Sequence, residues 1–131
     1  MYRERSFLYC STAHPLFDIA EDRLDLDALA RHDFVMPGYT QSPQVRELYR
    51  PLHAAATAYQ MEGLATLVLS GRYIGFLPDH YAEVWIGNRE MRPLLAQRMH
   101  FVTEFAAIRR KGAGSHPVLD AFVEEMTRAY R

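Results

Sequence analysis

The sequence has only one cysteine, Cys10, and this scarcity excludes one class of fold. A single thiol cannot form an intramolecular disulfide, so the disulfide-stapled scaffolds of small secreted proteins do not apply. No apolar run approaches the length of a membrane-spanning helix, and the first ten residues, MYRERSFLYC, lack the long apolar region of a signal peptide. We therefore expect a soluble, cytoplasmic protein that does not enter a membrane.

An excess of charge of one sign is also lacking. The 131 residues carry a formal net charge of −1, and the sequence pI is about 6.6. This balance gives no general electrostatic attraction to nucleic acid or to an anionic membrane. The basic run 109–111 has no aromatic residues between its charges, which is typical of a solvated turn. With 49% hydrophobic residues, the chain is long enough for one domain with a substantial core.

Patterns typical of catalytic and metal sites are absent as well. The six histidines, at positions 14, 32, 53, 80, 100 and 116, show no His-x-x-x-His or other ligand spacing, so no metal site is predicted. Cys10 and His14 are four residues apart, but a predicted strand and turn separate them and no third partner follows from spacing. Residues 111–115 lack the lysine–serine pair of a phosphate loop. We expect neither an enzyme nor a bound cofactor.

The chain does contain a helix–turn–strand unit around which its other segments are arranged. Three apolar residues follow the i, i+3, i+4 spacing of one helical face: Leu64, Leu67 and Val68. Gly71 stands where a helix commonly ends. Residues 73–77 then form a continuously apolar run, which is typical of a strand covered on both faces. This unit, within residues 62–78, predicts an α/β fold.

Further elements follow from local signals. Apolar runs bounded by turn residues predict strands at 6–10, 33–36, from about 56, and 99–108. By composition alone, residues 54–60 fit either a helix or a strand, and their context favours the strand. Amphipathic spacing predicts helices at 26–30, 44–50, 79–86 and 117–130. The predicted capping residues are Asp25 or Asp27, Ser42 with Pro43 at N1, Asp79 with His80, and Ser115.

The order of these motifs resembles the effector-binding domain of LysR-type transcriptional regulators. Four stretches carry the resemblance: Glu4-Arg5 with the following strand and Ala13-His14-Pro15-Leu16, then 26–35, 64–78 and 115–130. The third stretch is the most specific. There, Ser70-Gly71-Arg72-Tyr73 replaces the small residue, glycine, variable residue and glycine that are usual in the family.

The resemblance covers essentially all 131 residues and implies a periplasmic-binding-protein-like (type II) α/β fold. In that layout, residues 11–98 form the second lobe. Residues 1–10 and 99–131 supply the strands that cross between the lobes, together with the C-terminal helix and the return to the first lobe. The family's winged helix-turn-helix, its linker helix and the first part of its first lobe have no counterpart here. The expectation is therefore a single, partial effector-binding domain.

The resemblance also implies an effector site between the lobes. Its residues in this sequence are Gly38, Tyr39, Thr40, Ser42, Pro43 and Gln44, with the crossover residue Glu4 as a weaker candidate and Tyr59, Gln60 and Met61 nearby. A helix N-terminus there would offer free backbone N–H groups and the positive end of its dipole to an anionic ligand. The structural alternatives are an ordinary capped helix start, a solvated charge at Glu4, and core packing of Met61.

The implied function is non-catalytic sensing of a small anionic or aromatic effector within a transcription regulator. DNA contact would come only through a helix-turn-helix that this chain does not contain. The apolar stripe on the last helix, Val118, Leu119, Phe122, Val123 and Met126, would lack its usual cover and favours a homo-oligomer. Two alternatives stay open: a stand-alone α/β ligand-binding protein or small enzyme, and an accessory subunit that pairs with full-length regulators.

Overall fold

A computed structural model describes residues 2–112, 114 and 116–130 and shows alternating strands and helices. The strands are β1 (Tyr2–Ser11), β2 (Asp33–Pro37), β3 (His53–Ala58), β4 (Gly75–Pro78), β5 (Met91–Pro93) and β6 (His100–Phe105). The helices are α1 (Leu26–Ala30), α2 (Pro43–Tyr49), α3 (Met61–Leu69), α4 (Asp79–Gly87) and α5 (Pro117–Ala129), and a 3-10 turn, Glu21–Arg23, precedes α1. The α/β class predicted from the sequence is thus confirmed.

The strands form two sheets that join at one point. In the larger sheet, β1 pairs antiparallel with β4 on one edge and with β5 on the other, and β6 also pairs with β1. In the smaller sheet, β2 and β3 are parallel. A parallel bridge between Phe34 and Ile74 joins the sheets, because the Val35 N–H donates to the Ile74 carbonyl at 3.0 Å. The resulting strand order is β3-β2-β4-β1.

Two hydrophobic clusters cover the two faces of these strands. The α2 face, named after the helix packed on it, includes Leu8, Phe34, Val45, Tyr49, Ile74 and Phe76. The α3 face, named in the same way, includes Tyr9, Val35, Leu64, Val68, Leu77 and Met91. Successive residues of β2 and β4 alternate between the two clusters, and all four residues of β4 are buried. The strand predicted to be covered on both faces is therefore β4.

The chain divides into two compact units. The second unit, Arg5–Phe101, contains both clusters and all the elements from β2 to β5. The first unit consists of Met1–Glu4 and Val102–Arg131. Within the first unit, Arg3 pairs with Glu104 at 2.8 Å, and the Tyr2 and Tyr130 rings lie 4.9 Å apart between centroids. None of the described α5 side chains is buried.

Arg92 on β5 holds the loop that leads to α1. Its Nη1 donates to the backbone carbonyls of Phe17, at 3.0 Å, and Ile19, while its Nη2 pairs with the Glu21 carboxylate at 2.7 Å. These hydrogen bonds order the loop together with Leu16 and Leu24, which are buried in the α2 face.

His14 lies in the turn that follows β1 and is buried. Its Nδ1 accepts a hydrogen bond from the Leu16 N–H at 3.0 Å, and its ring packs edge-on against His32. Burial, together with the charge that His32 can carry, lowers the pKa of His14 to about 4. The buried imidazole is therefore neutral at pH 7.

The turn after α3 requires a glycine. Gly71 has φ of +79°, in the left-handed region that L side chains rarely adopt. A Cβ at this position would also lie 2.5 Å from the Ala13 Cβ and 2.9 Å from the Ala13 carbonyl carbon. The helix ends as predicted because this glycine both reverses the backbone and lets it approach the turn after β1.

Several predicted boundaries differ from the structure. β3 begins at His53 rather than near residue 56, because parallel pairing with Asp33 extends the strand past an irregularity in register between Phe34 and Val35. β6 ends at Phe105 rather than at residue 108, because Phe105 already lies beside Tyr2, the first residue of β1.

The predicted capping residues were right in some helices and wrong in others. Asp25 caps α1, since its carboxylate accepts from the Ala28 N–H at 2.7 Å, and Ser42 caps α2. Asp79 does not cap α4; Pro78 is the N-cap and makes no side-chain bond there. Ser115 lies outside the described residues, and the N-cap of α5 is His116, whose Nδ1 accepts from the Leu119 N–H.

We predict that Gly71→Ala lowers the free energy of unfolding by about 2 kcal/mol or more, through left-handed strain and overlap with Ala13. Gly63→Ala is the matched control, because Gly63 lies within α3 and the nearest atom to its added Cβ would be the Ala58 Cβ at 3.8 Å. That control should gain about 0.5–1 kcal/mol. Urea unfolding followed by circular dichroism measures both, and equal effects would contradict the role of Gly71.

We also predict that His14 makes the protein less stable in mild acid. The pKa of His14 is about 4 in the folded protein, below the unfolded value of 6.5. Its contribution to the free energy of unfolding is therefore complete above pH 6.5 and is lost as the pH falls towards 4. The wild type should lose roughly 2 kcal/mol by this route near pH 5. His14→Asn keeps an acceptor but does not titrate, so urea unfolding at pH 7 and pH 5 should show a smaller loss. An unchanged pH dependence would contradict this.

Candidate functional site

Three helices begin at one edge of the joined sheets. β2, β3 and β4 are parallel, and each is followed by a helix: α2 after the five residues 38–42, α3 after two residues, and α4 directly. The first N–H groups of a helix lack partners within it and form the positive end of its dipole. The carboxyl edge of these strands is therefore the part of the second unit best suited to hold a negatively charged or hydrogen-bonding ligand.

The chain also changes direction at this edge. It passes from β2 to β3 through α2 on one face, and then crosses back over β2 to β4 through α3 on the other face. In open α/β sheets, ligands bind in the crevice that such a switch leaves beyond the carboxyl ends of the strands. In this structure, the loop 38–42 lies at that switch.

A glycine–tyrosine contact shapes the start of this loop. The Gly38 N–H donates to the Ala58 carbonyl at 2.8 Å and closes the parallel pair. The Tyr59 ring lies against Gly38 so closely that a Cβ there would be 2.5 Å from two ring carbons. Tyr59 is 76% exposed and Tyr39 is 54% exposed, so two aromatic rings stand at the edge with surface available to a ligand.

The rest of the loop leads into α2. Thr40, Ser42, Pro43 and Gln44 are all exposed. The Ser42 hydroxyl accepts from the Val45 N–H at 3.4 Å and so serves as the helix cap. An ordinary capped helix start of this kind is the alternative to a ligand site that the sequence analysis left open.

Six of the seven predicted site residues are thus grouped at this edge of the second unit: Gly38, Tyr39, Thr40, Ser42, Pro43 and Gln44. Glu4 belongs to the first unit, on β1, where it is half-buried, and its role stays a prediction. Gln60 is the exposed residue just before α3, and Met61 packs against the α3 face.

An ion pair occupies the start of α4. Arg5 donates through Nε and Nη2 to the same Asp79 oxygen, at 3.0 and 2.8 Å, and its guanidinium lies 5.7 Å from the centroid of the Phe7 ring. Seventy-four residues separate the two partners, so sequence patterns did not reveal the pair. Glu62 likewise places a carboxylate in the first turn of α3, whereas the first turn of α2 has no acidic residue. An added anion is therefore favoured at α2 rather than at α3 or α4.

A second group that sequence reasoning missed is the buried hydroxyl of Tyr49 in the last turn of α2. The Tyr49 ring lies 5.3 Å from both Phe34 and Phe76 and 6.4 Å from Phe101, measured between centroids. Among the described residues, its hydroxyl oxygen is buried without a hydrogen-bond partner. Burial raises the pKa of this phenol well above its usual value, and nearby Tyr39 raises it further.

The Cys10–His14 pair lacks the charge state of a nucleophilic site. Burial raises the pKa of the Cys10 thiol to about 12, so the thiol is protonated, and His14 is neutral at pH 7. In the part of the chain that the structure describes, no three His, Cys, Asp or Glu residues are placed to hold a metal ion. No helix in that part has both the length and the apolar composition needed to cross a bilayer.

An open groove of about 740 Å³ lies beside β5 and the turn after it. Its lining is Glu21, Arg92, Pro93, Leu95, Ala96, Gln97 and Arg98. Arg92 is already engaged with the loop before α1, so the groove offers Arg98 as its remaining cation.

Comparison with known proteins gives a family match over the whole chain. The family model described as "LysR substrate binding domain" matches residues 1–131. The HTH-type transcriptional activator BauR of Pseudomonas aeruginosa is 36% identical over 124 residues, which are 95% of this chain and 41% of BauR. The chain thus spans less than half the length of this relative.

Solved structures show the same fold. The regulatory domain of Synechocystis CcmR in complex with 2-PG has a TM-score of 0.67 and 16% identity, over 99% of this chain and 64% of that chain. The bromide-bound regulatory domain of HypT from Salmonella typhimurium has a TM-score of 0.62 and 18% identity, over 97% of this chain and 61% of that chain. These likenesses confirm the type II periplasmic-binding-protein-like fold implied by the sequence motifs.

The relatives are LysR-type regulators and their regulatory domains, and this chain corresponds to a regulatory, effector-binding fragment of such proteins. Since the family match extends over all 131 residues and the motif order indicated the same family, the chain belongs to the LysR substrate-binding domain family.

Proposed function

We propose that this chain senses a small anionic or aromatic effector for a LysR-type regulator, without catalysing a reaction. The observation that carries the proposal is the switch of chain direction beside β2, where the uncharged loop 38–42 leads into α2. Effector binding in such a site favours the conformation that holds the effector best, and this difference in affinity can bias a promoter-bound assembly. DNA contact would come from a helix-turn-helix outside this chain, and the regulator would act in the cytoplasm.

The effector site that we propose consists of Gly38, Tyr39, Thr40, Ser42, Pro43 and Gln44. Residues 38–44 contain no charged side chain, so nothing within the loop repels an anion. Pro43 has no N–H, and the Val45 N–H already donates to Ser42. The Gln44 N–H and the Thr40 hydroxyl are therefore the groups that can donate to an anion. The Tyr39 and Tyr59 rings can cover an apolar or aromatic portion. CcmR in complex with 2-PG and HypT with bromide support a small ligand for domains of this fold.

A series of three small molecules tests the proposal. Acetate supplies a carboxylate, phenol supplies a ring, and phenylacetate supplies both. Sodium bromide serves as a fourth, minimal anion at constant ionic strength. Thermal shift should show stabilisation that grows with ligand concentration, strongest for phenylacetate, because only binding to the folded state raises the melting temperature. No shift with any of these probes would count against a working site.

Gln44→Glu is the variant that separates binding from folding. A carboxylate in the first turn of α2 should leave stability unchanged or slightly raised, yet weaken phenylacetate binding about five- to tenfold by like-charge repulsion. Gln97→Glu is the matched control, because Gln97 is also exposed but lines the groove beside β5. Calorimetric titration showing equal affinity in wild type and Gln44→Glu would place the ligand elsewhere.

We also propose that the chain forms a homo-oligomer through its first unit. Six large apolar side chains there are exposed: Val102, Phe105, Ile108, Val118, Phe122 and Tyr130. Val118 and Phe122, on one side of α5, are 74% and 63% exposed. Exposed apolar side chains favour association, and a second copy offers the same side chains in return.

Light scattering tests this association over a range of concentrations. Phe122→Glu should shift the protein towards the monomer, because it would bury a charge in the apolar contact. Ala121→Glu adds the same charge one residue away on the exposed helix and serves as the control. A wild type that remains monomeric at high concentration would refute the proposal.

A further inference from the structure

The groove beside β5 is a second place where the second unit can hold a ligand. Its volume of about 740 Å³ lies within the range of pockets that bind small organic molecules. None of its seven lining residues belongs to the loop 38–42 or to α2. A ligand in this groove would therefore be bound separately from an effector at the carboxyl edge of the strands.

Two parts of the chain form the groove, and contacts within the protein hold both of them in place. Glu21, which precedes α1, pairs with Arg92 on β5 at 2.7 Å, and Arg92 also donates to backbone carbonyls of the loop before Glu21. In the turn after β5, Leu94 and Met99 are buried in the α2 face. The groove thus has its shape without a ligand, and this preorganisation lowers the entropic cost of binding.

Leu95, within that turn, has an unusual backbone conformation. Its φ is +47°, in the left-handed region that residues other than glycine seldom adopt. The turn is closed by its own hydrogen bonds, because the Leu95 carbonyl accepts from the N–H groups of Arg98, at 2.9 Å, and Met99, at 2.7 Å. Strained residues of this kind cluster where proteins bind ligands. Leu95 also lines the groove, so its strain is a second observation at the same place.

The charges of the groove favour an anion. Its charged lining residues are Glu21, Arg92 and Arg98, which together give a net charge of +1. Glu21 and Arg92 neutralise each other through their ion pair. The Arg98 side chain is exposed and has no partner in the part of the chain that the structure describes. Its guanidinium is therefore available to a carboxylate, which it can bind through two parallel hydrogen bonds.

The uncharged part of the lining favours an aliphatic body. Pro93, Leu95 and Ala96 are apolar, and none of the seven lining residues is aromatic. Such a wall gains free energy by covering hydrocarbon, but it offers a ligand ring no aromatic partner on which to stack. The ligand chemistry that fits the groove is thus a carboxylate on a short aliphatic chain.

We propose that the groove beside β5 is a binding site for small aliphatic carboxylates, which pair with Arg98 and lay their hydrocarbon chain on Leu95 and Ala96. Acetate satisfies the charge alone, whereas hexanoate satisfies both the charge and the apolar wall. Affinity should therefore rise from acetate through butanoate to hexanoate, by up to about fourfold for each CH₂ group that the groove covers.

Calorimetric titration with hexanoate tests the role of Arg98. Arg98→Gln should bind hexanoate about fivefold more weakly than the wild type, because it loses the charge of the ion pair. Arg31→Gln is the matched control, since Arg31 is another exposed arginine of the second unit but does not line the groove, and its hexanoate affinity should be unchanged. Equal hexanoate affinity in Arg98→Gln and the wild type, or no hexanoate binding by the wild type, would overturn the proposal.

Two further variants distinguish this groove from the proposed effector site. Gln97→Glu cancels the net charge of the groove, so it should weaken hexanoate binding about fivefold and leave phenylacetate affinity unchanged. Gln44→Glu should do the reverse. Hexanoate binding that is weakened by Gln44→Glu but not by Gln97→Glu would place this ligand at the carboxyl edge and overturn the groove proposal. Hexanoate binding that depends on Arg98, without any phenylacetate binding, would support the groove and refute the effector site.

Discussion

The hydrogen bonds between β2 and the residue before β4 hold the second unit together as one α/β layer. The Val35 N–H donates to the Ile74 carbonyl, and the Ile74 N–H donates to the Asp33 carbonyl at 2.9 Å. Without them, β2 and β3 would form an isolated parallel pair, which is rarely stable alone. Because Phe34 and Val35 lie at this junction and face opposite clusters, the same two residues also connect the α2 face to the α3 face.

This junction explains why one edge of the sheets gathers the features of a binding site. Once β2 lies between β3 and β4, the two helices must pack on opposite faces, and both begin beyond the carboxyl ends of the strands that precede them. α2 thus begins at the surface with Ser42 and Gln44, and its last turn places Tyr49 in the core.

The fold was predictable from the sequence wherever its cause is local. Asp25 and Ser42 cap helices because their side chains accept from the N–H three residues later in the chain, and Gly71 reverses the chain with its own φ angle. What escaped prediction depends on partners distant in sequence: the Arg5–Asp79 pair, and the unpaired hydroxyl of Tyr49. The loop 38–44 could be named from the sequence as a candidate effector site, because motif order and the capping signal both pointed to it. Composition could not show that the Tyr59 ring lies against Gly38.

Arg92 holds its loop through backbone carbonyls as well as through Glu21. Every amino acid supplies a carbonyl, so substitutions at residues 17–19 leave those acceptors in place, whereas position 92 needs a long side chain with several donors in a planar fork. The loop and its anchor are therefore expected to diverge at very different rates among related proteins. Loop sequence can drift, and so alter the adjacent groove, while the anchoring arginine is retained.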